Sequence, residues 1–338
     1  MRARVFFIMF LPLLLVIAFG SLHLGNYRVP GELTWKLLGA WATGCPPPSG
    51  EGYADVVVLK LRLPRMIMVV LVGAALGVSG CVSQSLFRNP LVSPFILGIS
   101  AGASFGAALA IVFMTAIPFA IDVSAAFGGF LAVALAYLIA RRPDGNVPRL
   151  GLILSGVIIS SLFSALVGIM QYLADAETQL PAITFWLMGG FGAIAWESLF
   201  PALFVIPVCL GLIFLFSWQL NILALGDREA MSLGLDTERW KLFFIVLVVI
   251  AVGTSVSRSG VIGWVGLIVP HMARGILGPN NRLALPASGL LGAALLLVAD
   301  DLARTVTTGE IPIGIITALI GAPFFVFILR TRERELWT

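Results

Sequence analysis

The chain has 338 residues, of which 59% are hydrophobic and only 11% charged, whereas ordinary soluble domains carry about a quarter charged residues. With a mean hydropathy of +1.03, this excludes a water-soluble globule and marks an integral membrane protein. The formal net charge of +4 does not call for nucleic acid, because the arginines sit in short connections between apolar runs.

Those runs are about 20 residues long, enough for a helix to cross roughly 30 Å of hydrocarbon. The short alternating segments of a membrane β-barrel are not seen, so the expected fold class is all-α. The first segment, MRARVFFIMFLPLLLVIAFGSLHLG, has the basic start and apolar body of a signal peptide. It lacks a clear small-residue cleavage site and nine further spans follow, so it reads as an uncleaved transmembrane helix over 5–25. Further helices are expected over 66–87, 94–115, 119–140, 150–173, 197–218, 241–256, 261–277, 284–302 and 311–329. The whole, residues 1–338, reads as one polytopic membrane domain.

Ten crossings place both termini on one side, and the positive-inside rule selects the cytoplasm. Fourteen of the 21 basic residues then lie inside: Arg2, Arg4, Arg88, Arg141, Arg142, Arg149, Arg228, Arg239, Lys241, Arg274, Arg282, Arg330, Arg332 and Arg334. Arg28, Lys36, Lys60, Arg62, Arg65, Arg258 and Arg304 lie outside. The external stretch ADAETQLPAITFWLMGGFGAIAWES has no Lys or Arg, and its middle is expected to form a short interfacial helix. The largest cytoplasmic connection, Trp218 to Lys241, is broken at Gly226 and Gly234, so residues 219–240 read as two short amphipathic helices at the membrane face. A solvated loop is the alternative. Leu223, Leu225, Met231, Leu233 and Leu235 would be poor residues to leave bare, which favours a partner-docking surface.

Catalytic patterns are present but out of context. GISAG (Gly98 to Gly102) fits a nucleophile elbow and GVSG (Gly77 to Gly80) an intramembrane serine protease, with His271 as the one conceivable base for Ser79. An elbow needs a strand, turn and helix, whereas these glycines lie in apolar helical stretches where small residues serve close packing. No catalytic residue is assigned. The three lysines follow Trp35, Leu59 and Trp240, never glycine, so the chain cannot form the Gly-Lys-Ser/Thr of a P-loop ATPase. An ion-driven carrier would hold ionisable groups deep in its spans. Asp122, Asp300 and Asp301 fall near span ends instead, although Asp300 keeps that reading open. Cys45, Cys81 and Cys209 share no metal-ligand spacing, so neither a metal site nor a disulfide is assigned.

Arg62, Arg65 and Arg304 stand at external span ends against the positive-inside bias. Either they snorkel to lipid headgroups or they offer cations to carboxylates of an external protein.

Taken together and in order, LRLPR, SGCVSQSLFRNPLVSPFILGISAGA, LGDREAMSLGLD, GWVGLIVPHMARGILGP, ADDLAR and GEIPIGIITALIGAPFFVFIL resemble the FecCD-type permeases of binding-protein-dependent ABC importers. That family carries ferric siderophores, haem and cobalamin, and includes importers of oxyanions such as molybdate. The resemblance implies the type II ABC importer permease fold with ten helices per subunit. It implies two permease subunits, identical or related, and two cytoplasmic ATPases that hold the ATP and Mg. It also implies an external or periplasmic substrate-binding protein, and a bacterial or archaeal plasma (inner) membrane. No cofactor is expected on this chain. By the same resemblance Arg62, Arg65 and Arg304 would dock the binding protein. Asn89, Pro90 and Leu91 would narrow the cytoplasmic exit, while Leu225, Gly226, Asp227, Glu229, Ala230, Leu233 and Gly234 would couple to the ATPase. Where relatives commonly read Gly-Pro-Ile-Gly-Phe-Val-Gly, this chain has Ser259-Gly260-Val261-Ile262-Gly263-Trp264-Val265-Gly266 after an unexpected Arg258, and Cys81 stands among small residues.

Overall fold

A computed structural model describes residues 2–25, 27–45, 53–143, 146–307 and 309–331. Arg332 and Arg334, used above for orientation, lie outside the described residues. The helices in chain order are α1 (Arg2–Ser21), α2 (Gly31–Thr43), α3 (Leu63–Phe87), α4 (Ile99–Phe113), α5 (Ala120–Ala140), α6 (Arg149–Leu173) and α7 (Gln179–Met188). They continue with α8 (Trp196–Leu215), α9 (Ser217–Leu225), α10 (Asp227–Ser232), α11 (Thr237–Ser259), α12 (Val265–Leu277), α13 (Asn281–Thr305) and α14 (Ile313–Thr331). A π-helical segment, Val56–Arg62, runs straight into α3, and a 3-10 turn, Pro94–Leu97, precedes α4.

Among the described residues seven helices are long and apolar enough to cross a membrane, and α4, α12 and α14 are shorter apolar helices. These ten coincide with the ten expected spans. The sixth ends earlier than expected, at Leu215, because Phe216 leaves helical geometry before α9 begins. The short helix expected after the fifth span is α7. Two elements were not expected: the π-helical segment, and α2, which packs Leu33 and Leu37 against Val29, Ala54 and Val58.

The centre is built on α3, packed against α13 and α12 with almost no side chain between the backbones. A Cβ on Gly73 would sit against the Gly292 carbonyl oxygen and 2.8 Å from Ala293 Cα; one on Gly77 would strike the Ser288 carbonyl, and one on Gly80 that of Gly266. Gly102 and Gly106 of α4 meet Gly128 and Ser124 of α5 in the same way. Small residues let membrane helices approach closely, where dispersion rather than water expulsion drives association. The GVSG pattern is therefore a packing seam: Ser79 is fully buried, and its hydroxyl has no hydrogen-bond partner among the described residues. Large apolar side chains point outward from α1, α5, α6 and α8, Phe127, Leu154, Ile158 and Phe204 among them, as helices facing lipid or a second subunit require.

Candidate functional site

The two ends of α3 carry different chemistry. At its beginning the structure gathers Arg62, Arg65 and Arg304 as the sequence suggests, but not as free surface cations, for each is only 8% exposed. Arg65 donates from Nε and Nη2 to Asp300 Oδ1 at 3.1 and 2.9 Å, and from Nη1 to Glu310 Oε1 at 2.6 Å. Arg304 donates to Asp301, to the Ser21 hydroxyl at 2.8 Å and to the Leu24 carbonyl at 3.1 Å. Its Nε lies 3.1 Å from Asp300 Oδ2, an ion-pair separation without hydrogen-bond alignment. Arg62 instead donates to the carbonyls of Leu22 at 2.8 Å and Tyr27 at 2.5 Å. Gly25, at φ +136°, leaves room for that guanidinium, since a Cβ there would be 2.7 Å from Nη2. Buried charges persist only when paired and hydrogen-bonded, and Asp300, 1% exposed, is ion-paired with two arginines. It is the central anion of this cluster.

Two cavities open beside the cluster. One of about 220 Å³ is lined by Arg62, Arg65, Arg304, Glu310 and Leu61. The other, of about 350 Å³, is lined by Arg65, Glu310, Trp186, Phe191 and Arg258. The unexpected Arg258 donates to Asp122 at 2.9 Å and lies 5.8 Å from the Phe119 ring centroid, which joins the end of α11 to the start of α5. In the departing segment Trp264 adopts φ +68°. Its side chain lies where a Cβ on Gly321 would come within 2.7 Å.

At the far end of α3, Arg88 closes the helix in the left-handed region at φ 51°. The Asn89 side chain accepts the Leu91 N–H at 2.9 Å, so Asn89-Pro90-Leu91 forms a tight turn that holds Leu91 outward, 49% exposed. The helix behind the turn is clamped by Arg274 of α12, which donates to Gln84 Oε1 at 2.5 Å, to the Cys81 carbonyl at 2.9 Å and to the Ser85 hydroxyl at 3.1 Å. Cys81 is buried in this clamp, its sulfur 3.4 Å from Arg274 Nη2.

Beside the turn lie α9 and α10, broken at Gly226 as expected. Gly226 has φ +138°, and a Cβ there would collide with the Glu229 carboxylate and lie 3.1 Å from Arg88 Nη1. Asp227 opens α10 and ties it to two spans, accepting from Arg149 of α6 at 2.7 Å and from Lys241 of α11 at 2.9 Å. Leu223 and Ala230 are fully buried, and Leu235 packs against the core. Leu225, Met231 and Leu233 stay exposed, with Glu229 and Gly234 beside them. Asp300, Asp301 and Glu310 were not singled out with the arginines as one site, and Asp122 was not paired with Arg258. The one signal available was the nearness of these acids to the same predicted span ends. No group of three or more His, Cys, Asp or Glu among the described residues is placed to hold a metal ion.

A family model described as the FecCD transport family matches residues 13–331. The chain is 42% identical over 329 residues to a molybdate import system permease protein of Haemophilus influenzae, covering 96% of this chain and 95% of that protein. It is 40% identical over 334 residues to a hemin transport system permease protein of Yersinia pestis, with 96% and 95% covered. A solved structure described as an inward-facing conformation of a metal-chelate type ABC transporter superposes with a TM-score of 0.84 at 38% identity, over 95% of this chain and 97% of that one.

Proposed function

Because the chain belongs to the FecCD transport family, we propose that it is the membrane-spanning half-unit of an ATP-driven importer for a bulky metal chelate. A ferric siderophore is the first substrate class, and haem or cobalamin the next. The protein pairs with a second permease subunit, identical or related, and sits in the plasma (inner) membrane of a bacterium or archaeon with both termini in the cytoplasm. An external substrate-binding protein delivers the chelate at the Arg62, Arg65 and Arg304 end. Two cytoplasmic ATPases, which hold ATP and Mg, work at the other end. The chain itself performs no covalent step.

The observation that carries this reading is the tie between α10 and the spans. The short helix α10, with Met231 exposed on it and Leu225 and Leu233 exposed at its two ends, is joined through Asp227 to α6 and α11, so a push on it reaches two membrane helices through charge-assisted contacts. Displaced, it would shift packed helices between outward-open and inward-open arrangements, with Asn89-Pro90-Leu91 as the cytoplasmic constriction. Ion-coupled transport fits less well, because Asp300 is held between two guanidiniums and is not a free proton carrier.

A second reading keeps the importer and changes the cargo to an oxyanion. It is favoured by the molybdate name of the Haemophilus influenzae relative. The test is reconstitution of the permease with its ATPase and binding protein in liposomes, with ATP hydrolysis measured against ferric siderophores, haemin, cobalamin and molybdate. Stimulation by a chelate supports the first reading and stimulation by molybdate alone the second. Uptake by the permease without any ATPase would overturn both.

A further inference from the structure

Three guanidiniums, Arg62, Arg65 and Arg304, share their cluster with three carboxylates, Asp300, Asp301 and Glu310, so the cluster is already neutral. A carboxylate brought to it from outside would leave a surplus negative charge in a largely buried site, which is costly unless a resident anion leaves. The carboxylates are not equally held. The Asp300 and Asp301 side chains are 1% and 12% exposed, whereas that of Glu310 is 50% exposed and, among the described residues, pairs with Arg65 alone, through Nη1. Glu310 also lines both cavities, so there is open space on either side into which its carboxylate can turn.

We infer that Glu310 is an exchangeable counter-ion of Arg65. A carboxylate on the external binding protein displaces it, and docking is the replacement of one anion by another. This rests on the docking reading given above. The exchange has a built-in route into the membrane domain. Glu310 stands in the connection between α13 and α14, which is stitched down by the Ile311 N–H to the Ala303 carbonyl at 3.1 Å and the Ile313 N–H to the Gly189 carbonyl at 3.0 Å. A Cβ on Gly192 would lie 3.2 Å from Glu310 Oε2. Glu310 thus stands between the start of α14 and the segment after α7.

The inference is tested by equilibrium binding of the detergent-solubilised importer to its immobilised cognate substrate-binding protein. Glu310→Gln removes the competitor and should tighten binding about two- to fivefold, the scale of one half-exposed ion pair. Glu310→Asp keeps the charge on a shorter arm and should fall between Gln and wild type. Arg65→Ala should weaken binding, and in its background Glu310→Gln should no longer tighten it. If Arg65→Ala weakens binding but Glu310→Gln leaves it unchanged or weaker, the exchange is wrong and the docking reading stands. Unchanged binding in Arg65→Ala removes the docking reading, and the exchange with it.

Discussion

Removing Asp300 should unpick the outer cluster, and the size of the loss follows from who is left paired. Asp300 accepts from Arg65 Nε and Nη2 and faces Arg304 Nε. In Asp300→Ala, Arg65 keeps Glu310 and Arg304 keeps Asp301, so neither guanidinium is stripped of every anion. The cost should therefore lie at the low end of the range for breaking a buried pair, about 3 kcal/mol. Arg65→Ala leaves Asp300, among the described residues, facing only the poorly aligned Arg304 Nε and should cost more, about 3–5 kcal/mol. Because the two residues share one set of hydrogen bonds, the double variant should cost less than the sum, with a coupling of about 1–3 kcal/mol. Unfolding free energies in bicelles, measured for wild type, both single variants and the double, give the cycle directly. A loss within about 0.5 kcal/mol of wild type for Asp300→Ala, the range of an ordinary surface change, would refute the buried-cluster argument, as would strictly additive single variants.

In the seam between α3 and α13, Gly73→Ala drives a methyl group into rigid backbone at Gly292 and Ala293. It should cost about 1–3 kcal/mol by overpacking, while Gly39→Ala, with open space around it, should not lower the melting temperature. Glu229→Lys, and Ala230→Pro, which removes the donor to the Gly226 carbonyl, should leave membrane insertion intact while abolishing substrate-stimulated ATP hydrolysis in liposomes; unchanged stimulation in both removes the coupling role from this segment. In a Cys45→Ser background, Leu91→Cys should form a cross-linked dimer with a short thiol-reactive linker. Cross-linking no better than in the Cys45→Ser parent would place Leu91 away from the dimer axis.

The ten spans were legible because each is a long apolar run with breakers at its ends, and bilayer thickness leaves few other readings of such a pattern. The break at Gly226 was legible for a similar local reason. Helix α2 was not foreseen, although the Glu32 to Lys36 spacing, closed as a 2.7 Å ion pair, and Leu33 with Leu37 mark a helix. The stretch between the first two spans is mixed in polarity and carries no apolar run long enough to cross a bilayer, so no element was expected in it. The burial of the arginines was beyond reach for another reason. Arg65 meets Asp300 across 235 positions, and Arg258 meets Asp122 across 136, and no local spacing encodes such meetings. Sequence position brought the acids to the correct span ends but could not say that they face the arginines rather than water. The π-helical turns of Val56–Arg62 carry no glycine or proline that would have marked them in the sequence.

The bare seam along α3 also fixes how that helix can act mechanically. At about 1.5 Å per residue, its 25 residues make a strut roughly 38 Å long, with Arg65 at one tip and the Asn89-Pro90-Leu91 turn just past the other. Gly73, Gly77 and Gly80, the points where backbone touches backbone, lie toward its middle. A strut gripped there cannot shorten or slide without breaking those contacts, but it can tilt about them, as a seesaw does. A tilt of about 9° carries each tip roughly 3 Å, and carries the two tips in opposite directions.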